Sequence, residues 1–450
     1  FLVTAEGRLL AFAAPAAGEV TGHVAAEVPP PAADQWTSQA AAILSATGVR
    51  DGYALVLGLD RGRLAEELVR QSDLHVIAVD DDAAKVAALR QRLDQAGLYG
   101  TRACALVGDP VTYPFPPYLA NLVVSENPER FEHAKHPALA ETVFHRLRPY
   151  GGVACVWGVL ADRGRIEEIV QGAAFSGANV RQVGQFVLLA RSGPLPGAAD
   201  WSHAEADAAS TGASADELRS PKSLLWFDAA QRWHKFPGQN QVRVVAGRLV
   251  LLEEGLLRAS DVYTGRKLWE VELSDEPRDR QGIRYSRHRE WGPRPSLSPA
   301  TELVVLPDAI YLGSGTSCRV FDPATGQPTG RIDLPEDLGT PWANLRVCDD
   351  HLVGSSGPHV LCVNRRTGQL LWRVEAARSS LYLAVGNGKV FCAELVNPQR
   401  GEDETRDGSI FAVSLASGER LWQRPGGARL RYSPALDLVV TPTVFYRGAD

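Results

Sequence analysis

Two patterns of hydrophobic and polar positions divide the chain. From Gln35 to about Arg191, short apolar runs such as "YALVLG" and "LHVIAVD" alternate with stretches such as "DAAKVAALRQRLDQAG", whose apolar residues recur at helical spacing. Strands that alternate with helices are typical of a parallel sheet covered by helices on both faces. The pattern therefore predicts an α/β domain over residues 35–192.

The rest of the chain has short β-rich runs joined by a repeated turn. The phrases "SDVYTGRKLW", "FDPATGQPTG", "VNRRTGQLLW" and "VSLASGERLW" each open on a polar residue, with a glycine four positions later. The polar side chain can hydrogen-bond its own turn, and the glycine supplies a positive φ. In three copies a tryptophan follows, which we expect to close the seam to the next four-stranded blade. We predict propeller blades over residues 219–450, further blade strands over residues 1–28, and a linker over residues 193–218.

The repeated phrase resembles the tryptophan-docking repeat of the pyrroloquinoline-quinone-like (PQQ-like) β-propellers. That family includes quinoprotein dehydrogenases and a non-enzymatic outer-membrane assembly factor. Its quinone-binding members use a vicinal disulfide and a calcium ion held by acidic and amide side chains, whereas the six cysteines here include no adjacent pair. The resemblance implies a multidomain chain with an all-β propeller, and we expect it to hold no quinone and no metal.

Small and acidic residues follow four of the predicted strands in the α/β domain. They are Gly58, Gly62, Asp80, Gly108, Asp109, Ser125 and Glu126. The two glycines Gly58 and Gly62 bracket the first turn, and Asp80 ends the second strand about 20 residues after Gly58. Because the carboxyl ends of parallel strands meet at one edge of a sheet, these residues predict a single ligand crevice.

The order of these elements resembles the S-adenosylmethionine-dependent methyltransferases of the Rossmann-like type, over the whole of residues 35–192. The resemblance implies that Gly58 and Gly62 hold the methionine portion of S-adenosylmethionine, that Asp80 holds its ribose and that Asp109 contacts its adenine amine. The remaining members of the predicted cofactor site are Asp60, Gly108 and Ser125.

Two positions depart from that family's pattern. Two positions before the first glycine, where the family usually has an acidic residue that anchors the methionine amine, this chain has Val56. Asp60 stands where the family has its middle glycine, and its carboxylate could replace that anchor or crowd the cofactor. An acceptor with a proton to lose would need a base. Glu126, His133 and His136 are candidates for that base, and the alternative is that all three are solvated loop residues.

Charge and hydropathy argue against a nucleic-acid partner and against a membrane span. The chain has 47 Lys and Arg against 53 Asp and Glu, a net charge of −6, and so lacks the positive excess that phosphate contacts require. No apolar run approaches the roughly 18 residues that cross a bilayer. We therefore expect no nucleic-acid partner and no membrane span.

Two functions of different classes are compatible with these patterns. The first is S-adenosylmethionine-dependent methyl transfer to an unknown acceptor, a small molecule or a protein, with the propeller as a scaffold that binds substrate or partner. The alternative is a non-catalytic propeller scaffold or assembly protein whose methyltransferase-like insert has lost its cofactor. We expect an active methyltransferase in the cytoplasm, where S-adenosylmethionine is made, and an exported scaffold in the periplasm.

Overall fold

The computed structural model describes the chain in separate ranges. These are residues 2–3, 9–10, 31–131, 137–158, 161–217, 224–226, 241–253, 255–273, 302–394, 408–426, 429–442 and 444–449. Contacts divide the chain into an α/β domain, residues 1–196 with 222–232, and a β domain, residues 197–221 with 233–450. The strands β1 (Leu2–Val3) and β2 (Leu9–Leu10) pair antiparallel, and the rest of the predicted 1–28 strands lies outside the described residues.

A seven-stranded sheet forms the centre of the α/β domain. Its strands are β3 (Asp51–Leu57), β4 (Asp73–Asp80), β5 (Ala103–Val107), β6 (Leu122–Val124), β7 (Gly152–Val156), β8 (Ala178–Val183) and β9 (Phe186–Arg191). The helices are α1 (Gln35–Thr47), α2 (Arg63–Gln71), α3 (Ala83–Gln95), α4 (Pro137–Arg146) and α5 (Arg163–Gly172). The strand order is β5-β4-β3-β6-β7-β9-β8, in which β3 to β7 are parallel and β9 runs antiparallel to both of its neighbours.

Alternate residues of the central strands pack into different cores. Val56 packs in the core that includes residues of α1, α2 and α3, while Leu57 packs in a second core with Phe144 of α4. The strand order reverses at β3, which has β4 on one side and β6 on the other. In open α/β sheets, the crevice outside the carboxyl ends of strands at such a point is where ligands bind. The fold therefore directs attention to the loops that follow β3, β4, β5 and β6.

The β domain consists of consecutive antiparallel sheets. The first two contain β10 (Gln241–Val245), β11 (Arg248–Glu253), β12 (Leu256–Asp261) and β13 (Lys267–Glu272), then β14 (Glu302–Val305), β15 (Ile310–Ser314), β16 (Ser317–Phe321) and β17 (Pro328–Asp333). The next two contain β18 (Ala343–Cys348), β19 (His351–Ser356), β20 (His359–Asn364) and β21 (Leu370–Glu375), then β22 (Leu381–Gly386), β23 (Lys389–Glu394), β24 (Ser409–Ser414) and β25 (Arg420–Pro425). The last contains β26 (Arg431–Ser433), β27 (Leu438–Val440) and β28 (Phe445–Arg447). Each sheet follows chain order, as propeller blades do, so the predicted fold class is confirmed for both domains.

The repeated phrase forms the turn between the third and fourth strands of a sheet. The carboxylate of Asp322 accepts the N–H groups of Ala324 and Thr325, and Gly326 has a φ of +71°. Each tryptophan reaches the following sheet, as expected: the indole N–H of Trp372 donates to the carbonyl of Leu415 at 2.8 Å. The repeat therefore specifies both the turn and the contact between neighbouring sheets.

Part of the predicted linker belongs to the β domain. Residues 201–211, here called the inner segment, accept one hydrogen bond from a main-chain N–H in the first strand of each of the five sheets that the structure describes in the β domain. The five donors are the N–H groups of Val244, Val305, Val347, Val385 and Tyr432, at 2.8 to 3.1 Å. From Gly197 onward, the residues predicted as a linker over 193–218 therefore group with the β domain by their contacts.

Charged groups are buried where the inner segment meets the first strands. The guanidinium of Arg346 donates through Nε to Ser210 Oγ at 3.0 Å and through a terminal nitrogen to the carbonyl of Leu345. Burial raises the pKa of Glu302 and lowers the pKa of Arg243 to about 10. Burial also holds the pKa of His203 well below its usual range, which fits the acceptor role of its Nε2 toward the N–H of Val347. The inner segment is therefore fixed by buried polar groups as well as by backbone pairing.

Within the described ranges, no helix has both the length and the apolar character that crossing a membrane requires.

Candidate functional site

The glycine turn after β3 is the first element of the candidate site. Gly58 and Gly62 both have a φ of +81°, a conformation that glycine adopts without the steric cost of a Cβ. Gly62 is the N-cap of α2 and has no side chain to satisfy the first N–H groups of the helix. The turn therefore exposes several main-chain donors that need an acceptor from elsewhere.

Glu126 supplies that acceptor from the loop after β6. Its carboxylate accepts the N–H groups of Gly62 at 2.7 Å and of Asp60 and Leu64 at 3.1 Å. The register explains the contact, because Val56 of β3 pairs with Val124 of β6 and the N–H of Glu126 donates to the carbonyl of Gly58. Burial raises the pKa of Glu126, while the main-chain donors oppose that shift.

The position of Glu126 bears on its predicted role as a base. Its side chain is 3% exposed, and the contacts above use both of its oxygens on the glycine turn. A general base needs to reach the proton that it removes. The geometry therefore favours Glu126 as the group that holds the turn.

Asp80, at the end of β4, holds the other side of the turn. One carboxylate oxygen accepts the N–H of Leu59 at 2.7 Å, and the other accepts the N–H of Asp82 at 2.8 Å. The residue is 1% exposed. An ionised carboxylate offers about four acceptor positions, so lone pairs remain on both oxygens. Asp80 thus links the end of β4 to the glycine turn, and its predicted contact with a ribose stays a prediction.

Arg130 pairs with the carboxylates at this edge of the sheet. Its two terminal nitrogens donate to the two carboxylate oxygens of Asp81 at 2.8 and 2.5 Å, and one of them lies 3.7 Å from an oxygen of Asp80. These hydrogen bonds lower the pKa of Asp81 and raise that of Arg130, to which the charge of Asp109 also contributes. One guanidinium therefore interacts with three neighbouring carboxylates, and two of these, Asp80 and Asp109, belong to the predicted cofactor site.

The remaining predicted residues lie at the same edge of the sheet. Asp109 follows β5 and accepts the N–H groups of Val111 and Thr112 at 2.7 and 3.2 Å, which closes a tight turn. The N–H of Gly108 donates to the carbonyl of Asp80 at 2.9 Å. Ser125 Oγ accepts the N–H of Asn127 at 3.1 Å. These groups are ordered by their own loops, and their predicted contacts with a cofactor stay predictions.

The structure thus brings the predicted strand ends together but leaves part of the site undescribed. A carbon atom added to Gly58 would lie 3.6 Å from Ser125 Oγ, and Asp60 stands at the surface of the turn. His133 and His136, the other candidate bases, lie outside the described residues. In the described ranges, no three His, Cys, Asp or Glu side chains are grouped to hold a metal ion.

Sequence reasoning missed Arg130 and Phe131. Both belong to a short 3₁₀ turn, Pro128–Phe131, and both lie 3.6 Å from the position of a Cβ on Gly58. The only available signal was an arginine four residues after Glu126, in a loop at the carboxyl end of a strand. That signal does not identify a partner, because the pairing with Asp81 spans 49 residues of sequence.

Part of the β domain matches a known family. Residues 314–448 match the family model described as "Outer membrane protein assembly factor BamB". No curated protein matches the chain by sequence. The match covers the repeats that carried the resemblance to PQQ-like propellers, apart from the first.

Solved structures similar to the chain are of two kinds. A candidate S-adenosyl-L-methionine-dependent methyltransferase from Methanococcus maripaludis is 17% identical, with 36% of this chain and 85% of that chain covered and a TM-score of 0.31. An Aquifex aeolicus methyltransferase that depends on S-adenosylmethionine is 15% identical, with 34% of this chain and 89% of that chain covered and a TM-score of 0.28. BamB from Moraxella catarrhalis is 14% identical, with 46% of this chain covered and a TM-score of 0.29, and the chain spans 60% of its length. The sheet orders, rather than these scores, define the two folds described above.

Proposed function

We propose that the α/β domain binds S-adenosylmethionine at the carboxyl edge of β3, β4 and β5 and uses it for methyl transfer. The observation that carries the proposal is the glycine turn itself. Two buried carboxylates, Asp80 and Glu126, hold it from neighbouring strands through four main-chain N–H groups. Buried charges with such specific partners are frequent at functional sites.

The residues at this edge suit the parts of the cofactor. The glycine turn allows the methionine portion to approach the backbone, Asp80 keeps lone pairs for ribose hydroxyls, and Asp109 is the acceptor available for the adenine amine. When bound, S-adenosylmethionine supplies an electrophilic methyl group on a sulfonium. The tasks left to the chain are to position that group and to exclude water from it.

Binding requires the guanidinium of Arg130 to leave Asp80 and Asp81. Asp81 is more than half exposed, with 55% of its side chain accessible, and exposed ion pairs are worth at most about 1 kcal/mol. Loss of the exposed Arg130–Asp81 pair is therefore small beside the binding free energy of about 8 kcal/mol that a micromolar complex requires, and the buried Asp80 would exchange the guanidinium for hydrogen bonds from ribose hydroxyls. The propeller, in this proposal, binds the methyl acceptor or a partner protein.

A second function is supported by the same guanidinium. If Arg130 stays among the three carboxylates, the α/β domain keeps its fold without a cofactor, and the chain acts as a propeller scaffold. The match of residues 314–448 to the BamB family model supports this alternative. The two functions differ in whether the native protein binds S-adenosylmethionine.

Calorimetric titration with S-adenosylmethionine and S-adenosylhomocysteine separates the two functions. The variants are Asp80→Asn and Arg130→Ala, and the control is Arg163→Ala, which removes an exposed arginine of α5 that pairs with Glu167. Methyl transfer predicts micromolar binding by the native protein and the control, and at least tenfold weaker binding by Asp80→Asn. Absence of binding by both the native protein and Arg130→Ala at millimolar ligand would overturn it. Binding by Arg130→Ala alone would show a site closed by Arg130 and would support the scaffold.

A further inference from the structure

An apolar cavity of about 170 Å³ lies in the α/β domain between the sheet and the helices α4 and α5. The sheet contributes Val123, Ala154 and Leu189, and the helices contribute residues such as Val143 and Ile169. We infer that this cavity binds a neutral, apolar molecule about the size of one aromatic ring. The inference concerns a different part of the domain from the carboxylates that would hold the cofactor.

The helices over the cavity leave apolar surface unburied. Ile166, Ile169 and Val170 recur at helical spacing on α5, yet all three are only half-buried, and α5 has no buried residue. A ligand in the cavity would remove this surface from water and so complete the core. The size is sufficient, because an engineered apolar cavity of about 150 Å³ binds benzene.

The polar groups at the cavity indicate the charge of the ligand. Asp162 and Arg165 both line it, and the carboxylate of Asp162 accepts the main-chain N–H of Arg165 at 3.1 Å. A charged ligand would be attracted by one of these side chains and repelled by the other. The remaining lining is mostly aliphatic and aromatic, which makes the transfer of a charge from water costly. A neutral molecule is therefore the occupant that the lining favours.

The cavity adjoins the glycine turn. Ser125 and Phe131 line it, and the same two side chains lie 3.6 Å from the position of a Cβ on Gly58. Ser125 and Phe131 therefore adjoin both the cavity and the turn. That a molecule in the cavity is the methyl acceptor rests on the proposed function, whereas the binding of a neutral apolar ligand does not.

Binding of indole to the full chain, measured by calorimetry without any cofactor, tests the inference. Benzoate and benzylamine are charged probes of similar size. Ala154→Leu fills the cavity from β7, and Ala87→Leu adds the same atoms on the exposed face of α3 as a control. We expect the native protein and Ala87→Leu to bind indole at least tenfold more tightly than either charged probe, and Ala154→Leu to bind it at least tenfold more weakly than the native protein.

Two results would overturn the inference: no binding of indole by the native protein at millimolar concentration, or unchanged affinity in Ala154→Leu. If circular dichroism shows that Ala154→Leu does not fold, Ile169→Phe fills the same cavity from α5 and is judged by the same criterion. Because no cofactor is present, failure here is distinct from failure of the titration with S-adenosylmethionine.

Discussion

The glycines of the repeated turn should differ in their tolerance of alanine, depending on the sheet that precedes them. Gly418 and Gly368 occupy equivalent turns and both have a φ of +73°. A Cβ on Gly418 would lie 2.8 Å from ring atoms of Trp372, whereas a Cβ on Gly368 would find Ile332 Cγ1 at 3.9 Å as its nearest neighbour. The difference follows from the second copy of the repeat, which has Gly330 in place of the tryptophan.

The two substitutions therefore separate a backbone cost from a packing cost. An L-residue in the left-handed region costs about 1–2 kcal/mol, and this is the expected effect of Gly368→Ala. Gly418→Ala adds an overpacking cost of about 1–3 kcal/mol, because the indole of Trp372 is also held by its hydrogen bond to Leu415. The expected loss for Gly418→Ala is thus about 2–5 kcal/mol.

Urea unfolding followed by tryptophan fluorescence measures both free energies. Gly326→Ala, whose Cβ would lie 2.5 Å from Trp269, should behave like Gly418→Ala. Equal losses for Gly368→Ala and Gly418→Ala would refute the reasoning, since the preceding tryptophan would then have no effect. A neutral Gly418→Ala would refute it as well.

Two further predictions concern hydrogen bonds made by arginine side chains. Ser210→Ala should lower the free energy of unfolding by about 1–3 kcal/mol, because it leaves an N–H of the buried Arg346 without its acceptor. The control is Ser214→Ala at an exposed serine, which should stay within about 0.5 kcal/mol of the native protein, and urea unfolding measures both variants. An equal effect of the two serine variants would contradict this. Arg130→Ala should raise the pKa of Asp81 toward its ordinary value, measured by NMR titration of the carboxyl carbon, and an unchanged pKa would show that Arg130 does not lower it. Because the pKa of Asp81 is lowered in the folded protein, the stabilisation by this pair is present above the ordinary carboxyl pKa and is lost as the pH falls, and the variant should lack that dependence.

Local patterns in the sequence were sufficient for the architecture. Strands β3 and β4 are mainly apolar runs between helical stretches, and the turn phrase marks the third and fourth strands of the four-stranded sheets. Both signals are properties of neighbouring residues, and secondary structure depends mainly on such properties. The seam tryptophans were predicted for the same reason, because Trp269, Trp372 and Trp422 recur at a fixed distance from a glycine.

The interactions within the candidate site depend on residues far apart in sequence. Glu126 reaches the N–H of Gly62 across 64 residues, and only because β6 pairs with β3 rather than with the strand before it in the chain. The sequence assigned Glu126 to a possible catalytic role because its position after a strand was visible, whereas its partner was not. The inner segment was assigned to a linker for a similar reason, since acceptors of single main-chain hydrogen bonds produce no periodic pattern.

The inner segment also has a consequence for cooperativity. Stacked repeats interact mainly with their nearest neighbours, and such arrays can lose their terminal units one at a time. Here a single stretch of eleven residues, 201–211, hydrogen-bonds to the first strand of all five described sheets of the β domain. Ser210 is 136 residues from Arg346 in the chain, and Thr211 is 220 residues from Arg431. Loss of any one sheet therefore removes a hydrogen-bond donor from a segment that the other sheets share, so the β domain should unfold in one transition. Because these contacts join residues far apart in sequence, the domain should also refold slowly.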